Sequence, residues 1–141
     1  MMTGNSRLSV WRQFREEYDP NTGIEGILQE FAKIKTLPRY IDYYTPKEWP
    51  NVFDIVYEGY ICQSGLTLIL TATMHELGFI NSDNLHFEAI SNFETGKDGL
   101  VLKQDDLYYN FLPGEAVDAN YVKENSAVFQ KFIITSDKLY S

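Results

Sequence analysis

The sequence predicts one α+β domain, residues 1–141, with amino-terminal helices packed on a small antiparallel sheet from the C-terminal half. Three observations carry this. Through the first half, apolar residues recur three and four apart, the period of a helix with one buried face. In the second half they gather into short β-branched and aromatic runs separated by turn-forming residues. With 141 residues, 44% of them hydrophobic and 23% charged, the chain has the size and composition of one domain with its own core.

From Ser6 to Tyr18, the residues Leu8, Trp11, Phe14 and Tyr18 share a helix face, with Arg12, Arg15 and Glu16 directed elsewhere. Asp19-Pro20-Asn21 breaks the chain. Thr22 and Glu25 have capping-box spacing, ahead of a stripe of Ile24, Ile27, Leu28, Phe31 and Ile34 that runs to Leu37-Pro38. Gly23 and Gly26 weaken the start of that helix. A connector rich in tyrosine and proline, Arg39 to Asn51, contains Thr45-Pro46-Lys47-Glu48, an N-cap candidate followed by proline at the first helical position.

After Pro50, Val52, Phe53, Val56, Tyr57, Tyr60 and Ile61 repeat at helical spacing. Ser64-Gly65 reads as a break or kink, and Leu66, Ile69, Leu70, Thr73, Met74 and Leu77 continue the period to a C-cap at Gly78. The run Leu66–Thr73 is apolar enough to be a buried helix or a buried strand. Leu85–Phe93, the turn Glu94–Gly99 and Leu100–Lys103 read as a hairpin, with a third strand over Asp106–Leu112 stopped by Pro113-Gly114. A short helix is expected over Ala116–Glu124, and Val128–Thr135 reads as a last strand or a final helix, with strand favoured.

Charge narrows the function. Twenty acids face twelve Lys and Arg, a net charge of −8, yet aromatic residues make up 15% of the chain. Acidic chains that stay disordered are poor in aromatics, so this one builds a core and has rings to spare. Residues 1–70 hold nine acids and seven bases, and residues 71–141 hold eleven acids and five bases. Direct binding to nucleic acid or to an anionic membrane needs the opposite sign, so neither is expected as a partner. The single cysteine, Cys62, cannot form an internal disulfide, and the amino terminus lacks the apolar stretch of a signal peptide. The most apolar run, Gly65–Met74, is too short for a bilayer. A cytoplasmic protein is expected.

The usual catalytic patterns are missing. A zincin helix needs a second histidine four residues after His75, where Phe79 stands. A looser metal set of His75, Asp83, His86 and Glu88 has no standard spacing. Cys62 with either histidine could form a thiolate–imidazole pair, but its apolar neighbours favour a role in the core. Ser64 lacks the glycine two residues before it that a nucleophile elbow requires. No phosphate-binding glycine loop occurs, and the Thr95–Gly99 segment reads as a turn. Asp105-Asp106 would place one acid on each strand face, and Glu115 with Asp118 would share a helix face. No catalytic residue, metal or cofactor is expected.

What remains is a cluster. Between Glu76 and Glu124 lie ten acids and three lysines, with Tyr108, Tyr109 and Tyr121 among them. Asp98, Asp105, Asp106, Tyr108, Tyr109, Glu115, Asp118 and Tyr121 are therefore the candidate partner-binding residues, since acids speed encounter with a basic protein and rings supply contact area. The class that fits is a small non-enzymatic inhibitor that neutralises a basic protein, as an immunity protein neutralises a bacterial toxin, with a nuclease as the natural target. The alternative is a small-molecule-binding domain or enzyme whose pocket between helices and sheet is lined by Tyr57, Tyr60, Cys62, His75 and His86. A third option is a homo-oligomer that buries the spare rings.

Overall fold

The computed structural model describes residues 2–38 and 41–141, so Arg39 and Tyr40 of the predicted connector lie outside the described residues. Helix α1 (Gly4–Glu17) begins on Thr3, whose hydroxyl accepts the Ser6 N–H at 3.1 Å, and buries Trp11. A 3-10 turn (Pro20–Thr22) leads into α2 (Ile24–Phe31), which buries Ile27, Leu28 and Phe31. Ile34 lies beyond the end of α2, partly buried against the same core.

Two further helices follow, α3 (Val52–Glu58) and α4 (Gln63–Glu76). The break between them falls at Gly59, which ends α3 in the left-handed conformation at φ 72°, and not at Ser64-Gly65. Gly65 sits in the first turn of α4, where an added Cβ would lie 3.4 Å from Ile41 Cδ1 and Ile55 Cγ2. Its small size serves close packing. Helix α4 is buried continuously from Ser64 to Met74, so the run Leu66–Thr73 is helix and not strand. Its buried threonines donate to carbonyls four residues back, Thr71 to Thr67 at 2.7 Å and Thr73 to Ile69 at 2.8 Å, so no hydroxyl there is stranded.

The second half is a five-stranded antiparallel sheet in the order β4-β3-β2-β1-β5, built from β1 (Asn84–Asn92), β2 (Asp98–Gln104), β3 (Leu107–Leu112), β4 (Glu115–Asp118) and β5 (Ser126–Thr135). Helix α5 (Ala119–Asn125) joins β4 to β5, and α6 (Ser136–Tyr140) follows β5. The expected helix over Ala116–Glu124 is shortened because Glu115–Asp118 pairs with β3 instead. Pairing there overrides the helical propensity of Glu115 and Ala116. With that, Glu115 and Asp118 sit at opposite ends of a strand and share no helix face.

The sheet separates two apolar layers. Leu85, Phe87 and Ala89 of β1, Leu100 and Leu102 of β2, Tyr109 of β3 and Phe132 and Ile134 of β5 face the helices in the main core. Ile90, Val101, Tyr108, Phe111 and Val117 face the other way and are closed off by Val122 of α5. The fold is α+β, as predicted.

Candidate functional site

Two places in the fold gather polar groups: the start of α4 and the corner where the β2–β3 turn meets the β4–α5 junction.

At the first, Cys62 caps α4, its sulfur accepting the Gly65 N–H at 3.5 Å, and it is fully buried. A helix N-terminus favours a thiolate, and a cysteine–histidine nucleophile needs an imidazole within hydrogen-bond reach as well. His75 lies thirteen residues further along α4, about 20 Å away at the helical rise. There its Nδ1 meets the Tyr140 hydroxyl at 3.2 Å. His86 is exposed on β1, on the outward face, opposite Lys103 and Ile133. The sheet stands between it and Cys62, so no thiol–imidazole pair forms.

What does meet the start of α4 is the carboxamide of Gln63. Its Oε1 accepts the Leu100 N–H at 2.8 Å, and its Nε2 donates to the Leu100 carbonyl at 2.7 Å and to the Asn110 carbonyl at 3.4 Å. Asn110 answers by donating Nδ2–H to the Thr67 hydroxyl at 2.7 Å and to the Gln63 carbonyl at 3.3 Å. The backbone explains the arrangement. Strands β2 and β3 pair from Leu102↔Tyr109 to Gln104↔Leu107 and then part, because Asn110 adopts φ 66° and turns β3 aside. Leu100 is left without a strand partner on that side, and the Gln63 amide fills the gap. Gly99 leaves room for it: an added Cβ would come within 2.9 Å of the Gln63 carboxamide.

Two adjoining hollows border Gln63. One of about 250 Å³ is lined largely by apolar side chains such as Phe31, Leu66 and Phe111, and another of about 620 Å³ reaches Tyr43 and Ser64; both include Thr36, Lys97 and Asp98. Of the five residues expected to line a pocket, Tyr57, Tyr60, Cys62 and His75 line neither hollow, and His86 lines a separate one of about 330 Å³ beside Ser82 and Lys103. The pocket anticipated from the sequence does not assemble from those residues. Nor, among the described residues, do three or more His, Cys, Asp or Glu side chains gather into a metal site, so His75, Asp83, His86 and Glu88 do not form one.

The predicted partner-binding residues divide three ways. Asp105 and Asp106 form the β2–β3 turn, Asp105 at φ 55°, and do not lie on opposite faces of a strand. Asp118 pairs with Leu107, accepts the Tyr121 N–H at 2.8 Å as the cap of α5, and its neighbour Ala119 donates its N–H to the Asp106 carbonyl at 3.0 Å. The backbone thus brings Asp105, Asp106 and Asp118 to one corner, with Leu107 (42% exposed) and Tyr121 (37% exposed) beside them. The Tyr121 ring stands edge-on to Phe111 with centroids 6.0 Å apart, which fixes its orientation.

Asp98 and Glu115 lie at the opposite end of their strands and do not join this corner. Tyr108 and Tyr109 are inside, 6% and 5% exposed, and cannot face a partner. Tyr108 donates to the Glu88 carboxylate at 2.8 Å, and burial together with that carboxylate pushes its phenol well above the usual tyrosine range. Burial, with Asp105 and Glu25 nearby, raises Tyr109 as well. The sequence offered no sign of the Gln63–Leu100 contact or of Leu107 as a contact residue. The left-handed turn at Asn110 and the exposure of Leu107 emerge only from strand pairing.

Among the described residues the ion pair present is Lys33–Glu30 at 3.0 Å, so Asp105, Asp106 and Asp118 form no ion pair with another described residue. No helix of the described residues is long and apolar enough to cross a membrane.

No protein-family model and no curated protein sequence matches the chain. Solved structures do. LapG of Legionella pneumophila in its calcium-bound form superposes with a TM-score of 0.68 at 12% identity, over 97% of this chain and 82% of that one. The EGTA-treated form gives 0.67 at 13% identity, over 94% and 77%, and a third LapG structure gives 0.66 at 14% identity, over 95% and 80%. At such identities the likeness is one of fold: this chain has the backbone arrangement of LapG.

Proposed function

We propose that this chain is a non-enzymatic cytoplasmic binding protein that neutralises a basic protein partner, as an immunity protein neutralises a toxin. The observation that carries the reading is the corner of Asp105, Asp106 and Asp118. Three acids with no ion-pair partner among the described residues stand beside an exposed leucine and a ring held by Phe111. Exposed charge of one sign speeds encounter with a partner of the other, and the apolar pair supplies contact area once the surfaces meet. Lysine or arginine side chains of the partner would face the three acids, with an apolar side chain against Leu107 and Tyr121.

The test uses Asn in place of all three acids. Asp118→Asn keeps an oxygen to cap α5 while removing the charge. Affinity capture from the source cells with the wild-type chain, with the Asp105→Asn/Asp106→Asn/Asp118→Asn variant as control, should recover a basic protein on the wild type alone. Association with that protein should slow roughly tenfold or more in the variant and fall steeply with salt in the wild type. Equal capture by both chains, or an association rate indifferent to salt, would sink the proposal.

A further inference from the structure

Strand β5 is an edge of the sheet: it pairs with β1, and no strand among the described residues pairs with its other side. The opposite edge is guarded. Strand β4 has four residues and lies between α2 and α5, whereas β5 has ten. Along β5 alternate side chains stand in solvent, with Ile133 at 67% the most exposed large apolar residue of the described chain and Val128 and Phe129 at 38% and 44%. Open edges of this kind are sites for strand addition, and proteins that stay single usually shorten, charge or cover them.

We propose that β5 pairs antiparallel with β5 of a second copy about a two-fold axis at Ile133, joining the two sheets into one of ten strands. Charge points to this occupant. Two molecules of net charge −8 repel, yet Ser126–Thr135 contains no acid and a single base, Lys131, so this edge is where two copies approach at least cost. Outward-facing neighbours across β1 and β2 are His86 and Lys103, with Glu88 buried opposite Lys131; the nearest exposed acids, Asp83 and Asp137, lie at the end of the strand, at least four residues from Ile133. Register agrees as well. A β-bulge shifts the β1–β5 pairing between Ala89 and Ile90, leaving Phe129 as the extra residue and limiting the regular free edge to 130–135.

Within that segment, a two-fold at Ile133 sets Ile133 against its own copy on the outer face and Phe132 against Ile134 on the inner one, so side chains of like burial meet. Phe129, stacked with Tyr44 at a centroid distance of 6.0 Å, lies four residues from the axis, where α6 of the second copy arrives. The pairing consumes the edge in both molecules, so the assembly closes at two.

Sedimentation velocity from about 1 μM to about 200 μM, at low and high salt, should show monomer giving way to dimer, with tighter association at high salt because like charges are screened. That salt dependence is opposite in sign to the one expected for the acidic corner, so either proposal can fail without the other. Ile133→Lys, at a site already in solvent, should raise the dimer dissociation constant at least about tenfold with an unchanged circular dichroism spectrum. Backbone amides of 131–135 should gain protection from hydrogen exchange as concentration rises. A wild-type chain that stays monomeric at about 200 μM in both salts would overturn the proposal. So would a variant that dimerises as well as the wild type, or a dimer in which those amides are no better protected.

Discussion

Gln63 shows how much one side chain can carry. Its carboxamide replaces a missing neighbour strand at Leu100 and is itself held between two layers of the fold. Gln63→Ala should leave the buried Leu100 N–H without a partner, while the Leu100 carbonyl keeps the Thr67 hydroxyl at 2.7 Å, and lower unfolding free energy by about 1–3 kcal/mol, read from the urea midpoint at constant m-value. Gln63→Glu should recover part of the loss, because a carboxylate still accepts from Leu100 N–H but cannot donate to its carbonyl. The tyrosines give a second prediction. Burial raises the phenols of Tyr108 and Tyr140, aided by Glu88 in the first and Glu76 in the second. A group raised in the folded state contributes stability that is complete below its unfolded pKa. Stability should therefore stay level up to about pH 10 and fall above it, with Tyr108 and Tyr140 ionising only as the chain unfolds. Absorbance at an ultraviolet wavelength specific for phenolate, followed alongside circular dichroism, checks this. Two phenolates more than expected appearing before unfolding would contradict it.

At the scale of elements, what could be read in advance was periodicity, and what could not was pairing. The stripe Leu8, Trp11, Phe14 and Tyr18 announced α1, and the turn signals around Gly96 announced the β1–β2 hairpin. Strand β4 stayed hidden because four residues carry no period, and Glu115–Asp118 is a strand only through its partner. The break before α4 was misplaced by six residues because Ser64-Gly65 looks like a helix stop, when the glycine is there to let Ile41 and Ile55 come close. The docking of α1 is testable on its own. Trp11 buries its ring, donates its indole N–H to the Thr73 hydroxyl at 3.0 Å and carries the Arg15 guanidinium 4.0 Å above its centroid. Trp11→Ala should cost about 3–5 kcal/mol, while Trp11→Phe, which keeps most of the packing and loses the hydrogen bond, should cost less than half of that.

For the whole molecule, the division of charge that composition reported turns out to be a division of surfaces. The acid-rich half builds the sheet, and the sheet separates its acids by position: Asp105, Asp106 and Asp118 at one corner, Asp98 and Glu115 at the far end, and none along β5. Part of the candidate surface was legible, since three of its acids and Tyr121 were named from the sequence. Tyr108 and Tyr109 were not separable from them, because adjacent strand residues point to opposite sides and both sides of this sheet are covered there. Composition can count rings; only the second apolar layer beneath α5 decides which are buried.

The amide of Gln63 has a final consequence for cooperativity. A sheet whose ladder is completed by other strands can persist while a helix lifts away. Here the ladder at Leu100 is completed by a side chain rooted in α4, and the turn of β3 at Asn110 is tied to the same helix through Thr67. Displacing α4 therefore opens the middle of the sheet, and parting β2 from β3 unseats α4. The helical layer and the sheet should thus unfold together, and amides of α4 and of β2 should share one opening free energy in native-state hydrogen exchange.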